Sequence, residues 1–224
     1  MKVLITGTAS GIGLQTALLF LTYGHTVFGF DILPAAIEDE HYFHYICDVS
    51  KAEQLPEIPD VDIIINNAGT IDETKAIATN LEGYINVAEK YAFHEGIKSV
   101  VNVGSISGHV GLDTPRYAAS QGGRLAYTKN LAMRLANKYR ATVNSISPGA
   151  VMSGLEPHLY ANKKLVDAVA NENLLKKWIK PEEIAEWIYF VAVNNRSMTG
   201  QDILIDNGEV ANFNFISVED DTDE

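Results

Sequence analysis

The chain has little cysteine, no long apolar run and few basic residues. Cys47 is the only cysteine among 224 residues, so neither an intrachain disulfide nor a cysteine-based metal cluster is expected. No apolar run approaches the ~20 residues that span a bilayer, and Met1-Lys2 leads directly into an apolar stretch, so we expect no membrane span and no signal peptide. A cytoplasmic protein is the default expectation, with Cys47 as a small core residue.

Acidic residues outnumber basic ones. The 17 Lys and Arg stand against 29 Asp and Glu, which gives a net charge of −12 at pH 7. This balance argues against binding to nucleic acid or to anionic membranes. Several of the acids lie at the end of the chain, so we expect 209–224 to be a C-terminal extension that ends in a mobile acidic tail. Residues 1–208 suit a single domain with a sizeable core.

Short apolar strands alternate with helix-like stretches throughout the chain. Strands are predicted at 2–6, 26–30, 42–47, 61–66, 98–104, 140–146 and 201–206. Helices are predicted at 12–24, 72–94, 114–139, 157–176 and 181–194. Near-continuous apolar strands with helices between them indicate a parallel sheet covered on both faces. The predicted fold class is α/β: a Rossmann-like, doubly wound parallel sheet of about seven strands in a three-layer sandwich.

A glycine-rich turn follows the first strand. The segment Thr6-Gly7-Thr8-Ala9-Ser10-Gly11-Ile12-Gly13 joins an apolar run to an apolar helical stretch. Glycines let a phosphate approach the backbone, and a helix start offers unpaired N–H groups, so this turn predicts an anion site. Asp31 follows the second strand at the distance where an adenosine ribose would present its hydroxyls. The loop and Asp31 together predict a dinucleotide site.

Polar residues also end the third and fourth strands, in the layer where ligands lie in an open parallel sheet. Asn66-Asn67-Ala68-Gly69 could frame a cofactor without charge or form a capped turn. Asp48-Val49 could accept a hydrogen bond from an adenine amino group, and Asp48 could also cap a helix that begins near Ser50. Neither Lys nor Arg, which could hold a ribose 2′-phosphate, occurs at Thr8, Ala9, Ser10 or Ile32.

Further motifs follow the fifth and sixth strands. Ser105 lies in the segment 101–108, and Tyr117-Ala118-Ala119-Ser120-Gln121 comes shortly after it. Ser147-Pro148-Gly149 precedes Val151 and Ser153. With the glycine loop, these motifs resemble the short-chain dehydrogenase/reductase family of the single-domain type, over essentially residues 1–208.

The resemblance implies an NAD(H)-dependent oxidoreductase that interconverts a secondary alcohol and a ketone. In it Tyr117 would be the acid/base, Ser105 would orient the substrate oxygen, and Asn80 would complete a proton relay. Asp31 resembles the acid of NAD-preferring members, so NAD(H) is expected over NADP(H). The implied cofactor contacts are Gly7, Ser10, Gly11, Ile12, Gly13, Asp31, Ile32, Asp48, Val49, Asn67, Ala68, Gly69, Tyr117, Gln121, Pro148, Gly149, Val151 and Ser153.

The resemblance also concerns partners. Family members pair through two long helices that match 72–94 and 114–139, so a homodimer or homotetramer is expected. The other expected partner is a small alcohol or ketone substrate. His, Asp and Glu show no metal-ligand spacing, so no metal is expected.

The chain departs from the family at Gln121, which occupies the lysine position of the Tyr-x-x-x-Lys motif. That lysine holds the ribose and lowers the tyrosine pKa. An unperturbed phenol has a pKa of ~10, so about one in a thousand is ionised at pH 7. Gln121 can hydrogen-bond a ribose but supplies no charge. Arg124 lies on the same helix face, and either replaces the missing cation or forms a salt bridge or subunit contact.

A second departure is the short segment between Gly69 and Asn80, which predicts a more open substrate pocket. Both departures leave an alternative hypothesis open: an NAD-binding protein with little or no catalysis, serving as a sensor or structural subunit. A large rate increase in Gln121→Lys would favour an enzyme that lacks only the cation, whereas no increase would favour the alternative.

Overall fold

The computed structural model describes residues 1–153 and 161–212, and at its centre lies one seven-stranded sheet. The strands are β1 (Lys2–Thr6), β2 (Thr26–Asp31), β3 (Tyr42–Ile46), β4 (Ile63–Asn66), β5 (Ser99–Val103), β6 (Thr142–Pro148) and β7 (Asp202–Ile205). Their order is β3-β2-β1-β4-β5-β6-β7, and every pairing is parallel. The predicted doubly wound parallel sheet is confirmed.

Helices cover both faces of the sheet. They are α1 (Gly11–Thr22), α2 (Gly83–Tyr91), α3 (Ser107–Val110), α4 (Pro115–Tyr139), α5 (Lys163–Glu172) and α6 (Pro181–Tyr189). A π-helical turn at Ala78–Glu82 leads into α2, another at Phe190–Asn194 continues α6, and a 3₁₀ turn spans Ala52–Gln54.

The core consists of two apolar layers, one on each face of the sheet. Leu4 packs in one layer with Val100, whereas Ile5 packs in the other with Val101. Successive side chains of a strand point to opposite faces, so the central strands are apolar at almost every position. This explains the near-continuous apolar runs and confirms the three-layer arrangement.

The helix predicted at 72–94 is shorter than expected at both ends. Asp72 Oδ1 accepts hydrogen bonds from the Thr74 backbone N–H and hydroxyl at 2.9 and 2.7 Å, so the chain forms a local turn there. The helical segment begins at residue 76, continues through the π turn into α2 and ends at Tyr91. The predicted helix 157–176 is described only from 161 onward, where α5 spans Lys163–Glu172. Residues 154–160 and the acidic tail, 213–224, lie outside the described residues.

The position of β1 between β2 and β4 creates the crevice that matters for function. The chain leaves β1 toward one edge of the sheet for β2 and β3, and later crosses to β4 and the opposite edge. Connections that diverge in this way open a cleft beyond the carboxyl ends of the strands, where ligands bind in doubly wound sheets. The glycine loop after β1 and the segment 66–69 after β4 meet there.

Candidate active site

The glycine loop is shaped by close backbone contacts that leave no room for side chains. Gly7 adopts a φ of +77°, a left-handed conformation that favours glycine. A Cβ on Gly13 would lie 2.0 Å from the Gly7 carbonyl oxygen. Ser10 precedes α1 without capping it through its side chain, so the first backbone N–H groups of the helix remain available to an anion.

Asn67 holds the glycine loop against the end of β4. Its Nδ2 donates to the Thr6 and Gly7 carbonyl oxygens at 3.0 and 3.3 Å. In return, Thr6 Oγ1 accepts the backbone N–H groups of Asn67 and Ala68, both at 2.9 Å. Asn67 thus shapes the loop through its amide, while its segment also forms part of the cleft wall.

A cavity of about 380 Å³ lies over this loop at the carboxyl ends of β1, β2 and β4. Twelve of the residues predicted to contact a cofactor line it: Gly7, Ser10, Gly11, Ile12, Asp31, Ile32, Asp48, Val49, Asn67, Ala68, Gly69 and Ser153. The sequence interpretation did not include six further lining residues: Phe30, Leu33, Cys47, Thr70, Lys75 and Thr79. The first three lie within two residues of Asp31 or Asp48 in sequence. The last three belong to the short segment after Gly69, and its length was the signal that could have indicated them.

The remaining predicted contacts lie outside this cavity. Gly13 packs beneath the loop, and Tyr117 and Gln121 belong to a separate cluster on α4. Val151 forms a parallel bridge with Ile179. Pro148 is the last residue of β6, and the Gly149 N–H donates to Ile205 O at 3.0 Å.

Asp31 and Asp48 place two carboxyl groups on the wall of the cavity. The Asp31 carboxylate accepts the backbone N–H groups of Ala9 and Leu33, each at 2.9 Å. Asp48 Oδ1 accepts the Ser50 N–H at 3.0 Å and the Ser50 hydroxyl at 2.7 Å. The expectation that Asp48 caps a helix near Ser50 is wrong, because the 3₁₀ turn starts later and Asp48 instead closes a local turn.

Ser105 belongs to a chain of hydroxyl groups beyond β5. Its Oγ donates to Ser107 Oγ and accepts the Ser107 backbone N–H, both at 3.2 Å. The Ser107 hydroxyl in turn donates to the Asp113 carboxylate. A Cβ on Gly108 would lie 2.8 Å from the carbonyl carbon of Gln121, so α3 packs directly on α4. This contact brings the serine segment to the helix face that carries Tyr117.

Asn80 is fully buried in the π turn. Its Oδ1 accepts the Thr70 N–H at 2.8 Å, and its Nδ2 donates to Thr70 O at 2.9 Å and to Ser120 Oγ at 3.3 Å. The Ser120 hydroxyl donates to the backbone oxygen of Tyr117 at 2.7 Å. The side chain of Asn80 therefore ties the short segment to α4, and its backbone oxygen faces Arg124.

Arg124 is buried next to Gln121, with 3% and 1% of their surfaces exposed. The Arg124 guanidinium donates to the Asn80 carbonyl through Nε, and through Nη1 to Val103 O at 2.6 Å and Gln121 Oε1 at 2.8 Å. It also lies 4.0 Å from the ring centre of Tyr84. One alternative predicted for Arg124 is a salt bridge. This prediction is wrong for residues 1–153 and 161–212, where no carboxylate lies within 4.0 Å of Arg124.

Burial shifts the pKa values of Arg124, Tyr84 and Glu209. Desolvation lowers the pKa of Arg124, against the opposing attraction of Tyr84 and Tyr117. Desolvation also raises the pKa of Tyr84 to about 12. Glu209 accepts the Ala150 N–H at 3.3 Å beside the end of β6, and burial raises the pKa of its carboxyl group.

Neither a candidate metal site nor a helix fit to span a membrane occurs in the described residues. Across 1–153 and 161–212, no three His, Cys, Asp or Glu side chains gather in a way that could hold a metal ion. The described helices include none with the length and apolar character to cross a membrane.

Comparison with known proteins places the chain in a family. A family model described as enoyl-(acyl carrier protein) reductase matches residues 7–209. The 3-oxoacyl-acyl-carrier-protein reductase FabG of Thermotoga maritima is 32% identical, over 92% of this chain and 96% of its own length. The chain belongs to the short-chain dehydrogenase/reductase family of oxidoreductases.

Two solved structures share the fold closely. The 4-hydroxyisoleucine dehydrogenase complexed with NADH has a TM-score of 0.83 and 28% identity, and covers 95% of this chain and 99% of its own. ElxO with NADP bound has a TM-score of 0.83 and 26% identity, and covers 94% of this chain and 99% of its own.

Proposed function

We propose that this protein is an NAD(H)-dependent oxidoreductase that interconverts a secondary alcohol and a ketone. What supports the proposal is the cavity over the glycine loop, together with the packing of the segment that carries Ser105 on α4, the helix that carries Tyr117. The cavity suits a dinucleotide, and the Ser105 and Tyr117 hydroxyls suit a substrate oxygen. One similar structure contains NADH and another NADP, which supports a nicotinamide cofactor.

The residues of the cavity fit such a cofactor. The glycines leave space that any Cβ would fill, and the uncapped start of α1 offers N–H groups to a pyrophosphate. Asp31 would accept the ribose hydroxyls, since each carboxylate oxygen has a lone pair beyond its backbone contact. When bound, the nicotinamide donates or accepts the hydride. Gln121 would contact the second ribose, and Gly149, Val151 and Ser153 would line the nicotinamide side.

Tyr117 would exchange the proton with the substrate oxygen, while Ser105 holds that oxygen by a hydrogen bond. In alcohol oxidation, the phenolate of Tyr117 accepts the hydroxyl proton as the carbinol carbon loses its hydride. In ketone reduction, the Tyr117 phenol returns that proton to the oxygen. The contact of Ser105 with Ser107 fixes the orientation of its hydroxyl. Asn80 would act through its backbone, since its side chain is engaged with Thr70.

The preference for NAD(H) follows from charge. A 2′-phosphate on the adenosine ribose would lie beside the Asp31 carboxylate and be repelled. Among the described residues that line the cavity, Lys75 is the one Lys or Arg, and it lies beyond Gly69 rather than beside Asp31 in sequence. Titration with NADH and NADPH under the same salt conditions tests this, and we expect NADH to bind at least tenfold more tightly.

A panel of ketones, hydroxy acids and secondary alcohols, assayed at 340 nm with either cofactor, tests the reaction itself. Turnover that is lost in Tyr117→Phe supports the proposal. Tight NADH binding without turnover on any member would favour the alternative, a cofactor-binding sensor or structural subunit. The missing lysine at Gln121 is the feature that favours that alternative.

We also propose that the chain forms a homodimer or homotetramer through α2 and α4. An ion pair between Arg134 and Glu89, at 2.6 Å, links these two helices, and Met133 of α4 is 62% exposed. Light scattering after size exclusion tests the oligomeric state, and a monomer at micromolar concentration would contradict this proposal.

A further inference from the structure

Arg124 is a buried cation, and no carboxylate lies within 4.0 Å of it in the described parts of the chain. Its guanidinium contacts the carbonyl oxygens of Asn80 and Val103 and the face of the Tyr84 ring. A buried charge is costly unless it is paired, and carbonyl dipoles only partly offset that cost. Arg124 Nη2 is also buried without a hydrogen-bond partner among the described residues. These contacts hold α4 against the π turn and β5, but they leave the charge itself unpaired, which makes Arg124 a candidate for a functional role.

The orientation of the Arg124 side chain on α4 indicates which residues its charge can affect. Side chains on a helix lean toward its N-terminus, and Arg124 follows this rule by reaching back to Gln121 Oε1. Tyr117, Gln121 and Arg124 share one face of α4, because steps of four and seven residues return close to the same angle. The guanidinium therefore contacts Gln121, which lies between Arg124 and Tyr117 on this face. The position of a Cβ on Gly69, at the cleft, is 3.6 Å from Nη2.

We propose that Arg124 supplies the positive charge that stabilises the Tyr117 phenolate. Gln121 holds the guanidinium in place through its side-chain oxygen and would contact the cofactor ribose through its side-chain nitrogen. This inference rests on the proposed function, because it concerns the same acid/base. Arg124 is a positioning residue: it acts through Tyr117 and touches neither substrate nor cofactor.

The chemistry of Tyr117 explains why a cation is needed. A phenol with a pKa of ~10 is ionised at only about one part in a thousand at pH 7. A nearby positive charge favours the phenolate, as an opposite charge within a few ångströms does for any acid. The attraction between Tyr117 and Arg124 opposes the fall in the pKa of Arg124 that burial causes. Such an attraction is mutual, so the same interaction favours ionisation of Tyr117.

Gln121 gains a defined role from this arrangement. Its Oε1 accepts from Arg124, which fixes the amide orientation and leaves the two Nε2 hydrogens as donors. A ribose hydroxyl is a suitable acceptor. Charge and ribose contact, which one lysine would combine, are thus divided between Arg124 and Gln121.

Other titratable groups lie around Tyr117 and Arg124 and contribute to the pH dependence of Tyr117. Tyr84 lies on α2 with its hydroxyl on Val103 O at 2.9 Å. Glu73 accepts the Arg116 N–H at 3.1 Å, at the start of α4. Asp113 accepts the Ser107 hydroxyl. Negative charges near a phenol oppose its ionisation and positive charges favour it, so variants of these residues are the controls for the pH profile.

A spectroscopic titration of Tyr117 tests the proposal without catalysis. The absorbance of tyrosinate at 295 nm is followed against pH for the native protein and for Tyr117→Phe, and the difference isolates this one tyrosine. We expect Tyr117 to titrate about two units or more below the ordinary ~10, a change of about 100-fold in phenolate at pH 7. A Tyr117 pKa at or above the ordinary value overturns the proposal, whether or not the protein turns over substrate.

Three variants separate charge from packing. Arg124→Lys keeps the cation and should leave the Tyr117 pKa within one unit, whereas Arg124→Met should raise it by about two units. The double variant Gln121→Lys/Arg124→Met moves the cation one turn and should restore the lowered pKa. If Arg124→Lys raises the Tyr117 pKa as much as Arg124→Met does, the charge is not responsible and the proposal is wrong.

Gln121→Lys alone provides an independent test. It would place a second buried cation within hydrogen-bond distance of Arg124 Nη1. We expect lower thermal stability and, provided that the native protein turns over substrate, no increase in kcat, because its site already holds a cation. A gain of 100-fold or more would show that the native site lacks a cation, against the proposal. A lowered Tyr117 pKa in a protein without turnover would instead contradict the proposed function and leave the role of Arg124 supported.

Discussion

Replacing Gly13 by alanine should deform the glycine loop and weaken cofactor binding. The added Cβ would lie 2.0 Å from the Gly7 carbonyl oxygen and 2.5 Å from Asn67 Nδ2. Carbon and oxygen atoms approach closely at about 3.3 Å, so the loop would have to move by more than about 1 Å. The Asn67 amide that holds the loop would move with it.

The size of the effect follows from the cost of overpacking, which is about 1–3 kcal/mol at such a site. We expect the free energy of unfolding to fall by that amount. If the loop binds the pyrophosphate, a comparable loss in binding corresponds to an NADH affinity reduced by about 10- to 100-fold. Urea unfolding measures the first quantity, and a fluorescence titration with NADH measures the second.

Gly122→Ala is the matched control. Gly122 lies inside α4, and its added Cβ would be 3.7 Å from the nearest atom, Gly108 O. Alanine is favoured over glycine within a helix by about 0.5–1 kcal/mol, so this variant should be slightly more stable and bind NADH normally. A Gly13→Ala protein with native stability and native NADH affinity would refute the reasoning about the loop.

Three further predictions concern charge and ionisation. Asp31→Ser combined with Ile32→Arg should shift the cofactor preference toward NADPH by at least tenfold in comparative titrations. The reason is that Ile32 is 68% exposed and leaves room for a cation. An unchanged preference would show that Asp31 does not face the ribose. Burial raises the pKa of Glu209, so between the unfolded and the folded pKa the native state holds a proton that the unfolded chain has released, and stability falls as the pH rises through this window. Glu209→Gln should therefore raise the melting temperature at pH 7 but not at pH 4, unlike the exposed control Glu186→Gln, and equal gains at both pH values would contradict this. Burial raises the pKa of Cys47 to about 11, so disulfide reagents at pH 8 should react about 100-fold more slowly than with a free thiol, and reaction at the free-thiol rate would show that the cavity wall is open.

The sequence predicted most of the sheet and the long helices, because burial on both faces imposes a simple pattern. Central strands such as β4 and β5 are apolar at nearly every position, and α4 begins at a proline where the sequence places its start. The twelve predicted residues that line the cavity belong to strand ends and to the glycine loop. Those positions follow from topology, since parallel strands present their carboxyl ends on one edge.

Features that depend on contacts between distant segments could not be predicted. The π turn at Ala78–Glu82 and the engagement of Asn80 with Thr70 arise from the packing of a short segment against α4. The spacing in the sequence predicts which face of α4 carries Arg124. It does not predict that Arg124 is buried against Tyr84 and Val103, because these partners belong to other elements. The Asp48 turn was mistaken for a helix cap because both motifs use the same side-chain contact to a nearby N–H.

Deuterium transfer tests the central claim most directly. The protein is incubated with NADH deuterated at the reactive carbon and with a panel of ketones, and the alcohol products are analysed by mass spectrometry. The account predicts deuterium on the carbinol carbon of at least one product, with a rate reduced by 100-fold or more in Tyr117→Phe. Absence of label from every product, although NADH binds, would contradict it.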